Sequence, residues 1–280
     1  MKVFILALDG LEFNLVEKWD LKNLNQVVYG KGECFLTRKL ARRRAAYTPT
    51  QWVSFITGRP PEEHGVTTWW SWGRIFDSLG RTPLANVKGK KKFFNLLLKL
   101  LNFLRIKPKH LVTRKDWKKP LPTIFDQIKP SIPLFIPGYN EQESFHDFNM
   151  NMKIEELESI IRRNHEKRKK IMFEKINEEW KLFMVWFDLV DLFGHIFWTL
   201  DPQKIKWCYR EADFLAREIR KRIDDSIFLI VSDHGMKLSD DGVTGYHSDH
   251  FFWSLNIKTS WRPRYITDFY EKILAVSYTH

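Results

Sequence analysis

Residues 227–235 read Ile-Phe-Leu-Ile-Val-Ser-Asp-His-Gly. Five apolar residues in succession leave no polar face, so the run reads as a strand covered on both sides, not a half-exposed one. It stops at Ser232-Asp233-His234-Gly235, where polar and turn-forming residues mark a carboxyl end. Similar runs are Val3 to Leu8, which ends at Asp9-Gly10, Ile132 to Ile136, and Leu182 to Phe187. Helical spacing fills the intervals. Ile154, Leu157 and Ile161, then Met172, Ile176 and Trp180, predict a long helix with a solvated middle, RRNHEKRKK at 162–170. Cys208, Ala212, Leu215 and Ile219 predict another. Buried strands alternating with helices predict an α/β fold with a mostly parallel sheet covered on both faces.

The 280 residues suffice for one large domain with a sizeable core. Lys and Arg outnumber Asp and Glu by 46 to 34, a net +12 that suits anionic partners: phosphate groups, nucleic acid or an acidic membrane surface. Two cysteines, Cys34 and Cys208, exclude a disulfide framework and a thiolate metal cluster. The opening apolar run is too short for a signal segment or a membrane span, and no other run is long enough to span. The expected location is cytoplasmic. Residues from about 69 to 122 break the strand–helix rhythm. They read as a cap or insertion in a single domain spanning 1–280.

In open α/β sheets, ligands bind beyond the carboxyl ends of the strands. The polar residues expected there are Asp9, Asp191 with His195, and Asp233 with His234, and His247 stands before the late apolar strand. One Asp-His pair alone is no more than a capped turn. Several at successive strand ends form a set of carboxylate and imidazole donors that suits a divalent cation. Thr48-Pro49 reads as a helix start, with threonine as the cap and proline at the first helical position.

Five stretches together resemble the type I phosphodiesterase/nucleotide pyrophosphatase family of the alkaline phosphatase superfamily. They are LALDG at the start, YTPTQWVSFITGRPPEEHGV at 47–66, DLFGH at 191–195, SDHGM at 232–236 and GYHSDHFFW at 245–253. The resemblance implies a three-layer αβα sandwich of the alkaline phosphatase type. It implies a phosphodiesterase or pyrophosphatase working through a phospho-threonine on Thr48. It also implies two divalent metal ions, Zn2+ foremost with Mn2+ or Mg2+ as alternatives. One would be held by Asp191, His195 and His247, with His250 as rival for the late ligand, and the other by Asp9, Asp233 and His234, with Thr48 bridging or facing them. No dedicated base stands beside Thr48 in the sequence, and metal coordination can replace one. The family also carries an asparagine about twenty residues after the nucleophile. Here that stretch is VTTWWSW, with Trp69 near the place, which leaves nucleotide specificity open.

Other readings remain beside this one: a phosphomonoesterase, a phosphate-transferring mutase of the same superfamily, or a catalytically idle anion- or membrane-binding protein. The mutase carries a large second domain and a serine nucleophile, and this chain has neither. Trp69, Trp70 and Trp72 are candidates for stacking on a planar substrate group, against a packing role. His64 reads as a structural hydrogen-bonding residue, and Thr50 and Ser54 as cap and helix-surface residues. The basic run RKLARRR at 38–44 could steer anions towards Thr48. Residues 93–106 read as a cap helix, or as an interfacial helix on an acidic membrane that would make the protein peripheral to it. The expected substrate is a phosphate-ester small molecule or nucleotide-like compound, with no specific nucleic-acid partner.

Overall fold

The computed structural model describes residues 1–38, 44–71, 110–140, 152–223, 225–240 and 242–278. Its centre is a six-stranded sheet. From edge to edge the order is β2 (Val28–Glu33), β12 (His250–Leu255), β9 (Ser226–Ser232), β1 (Lys2–Leu8), β8 (Leu182–Phe187) and β7 (Ser131–Leu134). Strands β9, β1, β8 and β7 are mutually parallel, and β12 runs antiparallel to both neighbours. Three antiparallel ribbons flank the sheet: β3 (Leu36–Arg38) with β4 (Arg44–Ala46), β5 (Trp70–Ser71) with β6 (His110–Leu111), and β10 (Met236–Leu238) with β11 (Gly245–His247).

Alternation along the strands builds two cores. Val3, Ile5 and Ala7 of β1 face one, together with α2 (Thr48–Thr57), α4 (Ile124–Gln127) and α8 (Asp268–Tyr278). Phe4, Leu6 and Leu8 face the other, under α1 (Phe13–Lys18), α5 (Ile154–Lys175), α6 (Leu189–Phe197) and α7 (Pro202–Arg220). A short helix, α3 (Pro61–His64), follows α2. Each fully buried aliphatic or aromatic side chain contributes roughly 1.5–3 kcal/mol, so a sheet covered on both faces requires the uninterrupted apolar runs seen in the sequence. Every residue of β8 and β9 is buried. Helix α7 starts where Asp201 accepts from the Gln203 and Lys204 amides, with Pro202 in its first turn.

Three sequence expectations are corrected locally. Trp180 lies beyond the end of α5 at Lys175, and its indole N–H donates to the Ile176 carbonyl. The middle of that helix is not solvated throughout, since His165 and Arg168 are buried. Their partners come from other elements: Arg168 meets Asp188 at 2.6 Å, and His165 meets Glu211 at 3.4 Å. The strand at 132–136 ends at Leu134, because Phe135 takes a φ of 61°. Of the segment expected as a cap, residues 72–109 lie outside the described residues, and with them Trp72 and the helix expected at 93–106. Most of the basic run at 38–44 also falls outside. Among the described residues, no helix is long and apolar enough to cross a membrane.

Candidate metal centre

Four strand ends meet at one edge of the sheet. Strand β1 delivers Asp9, whose amide donates to the Phe187 carbonyl at the end of β8. Gly10 must be glycine here: its φ is +72°, and a Cβ would lie 2.8 Å from the Asp191 Cα. Strand β8 passes through Asp188 into α6, which presents Asp191 and His195 one turn apart on one face. Strand β9 ends in Ser232, followed by Asp233 and His234. Because β12 is antiparallel, its amino end reaches the same edge, and the β10–β11 ribbon just before it supplies His247. Thr48 arrives from the opposite side, at the start of α2.

The donor atoms fall into two groups, each with all its atoms within 4.8 Å of one another: Asp191, His195 and His247, and Asp9, Asp233 and His234. In the first, Asp191 Oδ1 is 3.4 Å from His195 Nε2 and 3.5 Å from His247 Nε2, and the two imidazoles approach Nε2 to Nε2 at 2.9 Å. In the second, His234 Nε2 is 3.3 Å from Asp9 Oδ1 and 3.2 Å from Asp233 Oδ2. The rings of His234 and His247 stack with centroids 3.6 Å apart, which joins the groups. Thr48 Oγ1 lies 3.4 Å from both Asp9 Oδ1 and His234 Nε2. The helix cap is Tyr47, one residue earlier than expected, and Thr48 sits in the first turn. Its hydroxyl points into the site and does not cap.

The proton positions follow from the partners. Nδ1 of His195 faces the Gly245 carbonyl at 3.0 Å, that of His247 the Ala46 carbonyl at 2.6 Å, and that of His234 the Gly235 carbonyl at 3.2 Å. A carbonyl can only accept, so each Nδ1 carries the proton, and the Nε2 atoms converge on the carboxylates. Burial, then the neighbouring His234, pushes His247 down to about 3, so this ring is neutral near pH 7. Asp191 Oδ1 and Asp233 Oδ2 are buried without a hydrogen-bond partner. Burial and then the charges of Asp233 and Asp191 hold Asp9 well above the usual carboxylate range, and burial raises Asp233 as well. Burial also opposes ionisation of Asp191, but His195, His247 and His234 outweigh it and hold the group low. Among the described residues, no Lys or Arg pairs with any of these three carboxylates. Buried charge of one sign, lone pairs with no proton to accept, and an oxygen–nitrogen donor set together fit divalent cations.

A third group, His165, Glu166 and Glu211, meets the same distance condition. There Lys169 Nζ already lies 2.6 Å from Glu211 and 2.9 Å from Glu166, so the cation is a side chain.

His250 is turned away from both groups and meets Glu12 Oε1 at 3.0 Å. His64 Nδ1 accepts the Val66 amide and its Nε2 meets Ser54 Oγ at 3.0 Å. Thr50 and Ser54 are buried, contrary to their reading as cap and helix-surface residues: the cap is Tyr47 and every residue of α2 is covered. Trp69 packs into the core, its ring 6.2 Å from that of Trp186, whereas Trp70 is exposed. The sequence reading passed over Glu12, which looked like an ordinary residue after a turn. Its position three residues beyond Asp9 is the one signal that could have drawn notice.

A protein-family model described as type I phosphodiesterase / nucleotide pyrophosphatase matches residues 3–264. No curated protein sequence matches the chain. Among solved structures, murine ectonucleotide pyrophosphatase/phosphodiesterase 5 aligns at 16% identity with a TM-score of 0.47, covering 86% of this chain and 59% of that one. A structure of an inactive form of the same murine protein in complex with AMP aligns at 18% identity, with the same TM-score and coverage. The chain thus spans about three-fifths of the length of these neighbours.

Proposed function

The chain belongs to the type I phosphodiesterase/nucleotide pyrophosphatase family, and from that premise we propose that it hydrolyses phosphodiester or pyrophosphate bonds through a phospho-threonine on Thr48. Asp191, His195 and His247 would hold one divalent cation, and Asp9, Asp233 and His234 a second. Bound there, two cations would supply Lewis-acid stabilisation of the charge on the attacking and departing oxygens. The chain's own residues do the rest. Asp9 Oδ1 accepts the Thr48 hydroxyl at 3.4 Å and fixes the direction of Oγ1. The amino end of α2 lends its partial positive charge to the phosphoryl group, with Pro49 contributing no N–H. The bond from Thr48 Oγ1 to phosphorus forms as the bond to the leaving oxygen breaks, and the hydroxyl proton ends on the leaving group. Water then cleaves the phospho-threonine and restores the hydroxyl. The Nδ1–carbonyl bonds keep the three imidazoles in the tautomer that leaves Nε2 free.

The observation that carries this reading is the place of Thr48 Oγ1, equidistant from a ligand of each chemical type and unused as a helix cap. The test assays bis-p-nitrophenyl phosphate, p-nitrophenyl phosphate and a dinucleotide with Zn2+, Mn2+ and Mg2+ in turn. The diester and the dinucleotide should be turned over faster than the monoester. Thr48→Ala should lose on the order of 10^3-fold or more in kcat, as removal of a nucleophile does, and Thr48→Ser should retain measurable turnover. Unchanged activity in Thr48→Ala would remove the nucleophile assignment.

A further inference from the structure

Glu12 is only 4% exposed, yet it caps a surface helix, α1, where a carboxylate would ordinarily face water. It is turned inward instead. Oε1 accepts from the Asn14 amide at 3.1 Å, from Asn14 Nδ2 at 2.8 Å, and from His250 Nε2 at 3.0 Å. Oε2 accepts from the Met236 amide at 3.1 Å and from Ser248 Oγ at 3.3 Å. One carboxylate thus joins three stretches distant in sequence. Each adjoins candidate ligands: Asp9 precedes Glu12, Asp233 and His234 precede Met236, and His247 precedes Ser248.

The stretches are also tied to each other around this point. The Gly235 amide donates to the His250 carbonyl at 2.7 Å, and the Ser248 amide to the Gly235 carbonyl at 2.8 Å. A Cβ on Gly235 would sit 2.3 Å from Glu12 Oε2, so the glycine makes room for the carboxylate. Burial raises the carboxyl, but His250 and the Asn14 and Met236 amides outweigh it, and the group stays ionised. A buried carboxylate and its polar partners are weak support for stability, because well-packed apolar groups of the same volume do as well or better. Its yield is geometric. We propose that Glu12, with His250 as its hydrogen-bond partner, is a positioning residue that sets the relative placement of Asp9, Asp233, His234 and His247, and so the affinity of the candidate centre for divalent cations.

This rests on the reading of the two groups as cation sites, and the experiment separates the two claims. Co2+ is titrated into chelator-treated wild type, Glu12→Ala, Glu12→Gln and His250→Gln, with binding followed by calorimetry and by the visible d–d absorption band. Far-UV circular dichroism checks the fold. Outer partners of metal ligands typically alter affinity by about 10–100-fold. Glu12→Ala should therefore bind Co2+ with a Kd raised into that range and with a shifted band. Glu12→Gln, which keeps an acceptor for Met236 and Ser248, should fall between it and wild type. His250→Gln should weaken binding in the same direction. Wild-type affinity and an unchanged band in Glu12→Ala would overturn the positioning role alone. No Co2+ binding by wild type would overturn the cation reading and this proposal with it. Unfolding of both Glu12 variants would assign the residue to stability and overturn the proposal as well.

Discussion

Replacing Asp9 by asparagine should stabilise the chelated protein and destabilise the metal-loaded one. The Asp9, Asp233 and His234 donor atoms lie within 4.8 Å of one another, and two ionised carboxylates at that separation repel by about 3.5 kcal/mol at an effective dielectric of about 20. Asp9 escapes this repulsion in part by taking up a proton, in line with its raised position. The sign follows from linkage. A carboxyl raised in the fold contributes its full stability below its unfolded value of about 3.9 and loses it as pH rises through the folded value. Asp9 therefore weighs most against the fold at alkaline pH. Urea unfolding in chelator at about pH 8 should show Asp9→Asn more stable than wild type by about 1–3 kcal/mol, with the gain shrinking towards about pH 5. A divalent cation at about 100 times its Kd adds about 2.7 kcal/mol to wild type. The variant, short of one ligand, should gain less, and the order of stability should invert. A variant no more stable than wild type in chelator at high pH, or no inversion with metal, would refute the account of the centre as buried repulsion that cations relieve.

Two further outcomes are expected. Asp188→Asn strips the counter-charge from Arg168, in a pair at 2.6 Å whose side chains are 5% and 6% exposed, and should cost about 3–5 kcal/mol in urea unfolding. A loss below about 1 kcal/mol would mean that solvent reaches the guanidinium. For His247, held down at about 3 by burial, stability is fully present above about 6.5 and is lost as pH falls. In chelator its share should be about 1.4 kcal/mol per pH unit, so His247→Gln should show a shallower acid slope than wild type between about pH 6 and 4.

The sheet interior was legible because β1, β8 and β9 are covered on both faces, and only continuous apolar runs satisfy that condition. The edge strand β2 was not. Its residues alternate between half-buried and exposed, so no run betrays it. The sequence placed Asp9, Asp191, His195, Asp233 and His234 at one edge by their spacing after strands. It left His247 and His250 in competition, since both precede the same apolar segment. Their separation depends on the β10–β11 ribbon and on the contact of Glu12 with His250, both of which join residues distant in sequence or form only on folding. The charged middle of α5 read as solvated because the partners of its buried residues, Asp188 and Glu211, lie on other elements. Composition within a helix cannot reveal a counter-charge that arrives through tertiary packing.

The pairing of Trp70–Ser71 with His110–Leu111 has a consequence for how such a protein can change over time. The backbone departs and returns through one doorway, beside Trp69, which is moored on Trp186 at the end of β8. The stretch of sequence between those posts is residues 72–109. Doubling its length adds only about 0.6 kcal/mol of closure entropy, and neither Thr48 nor the six candidate ligands lie within it. Selection can therefore rewrite that stretch while Thr48 and the candidate ligands stay where α2 and the strand ends put them.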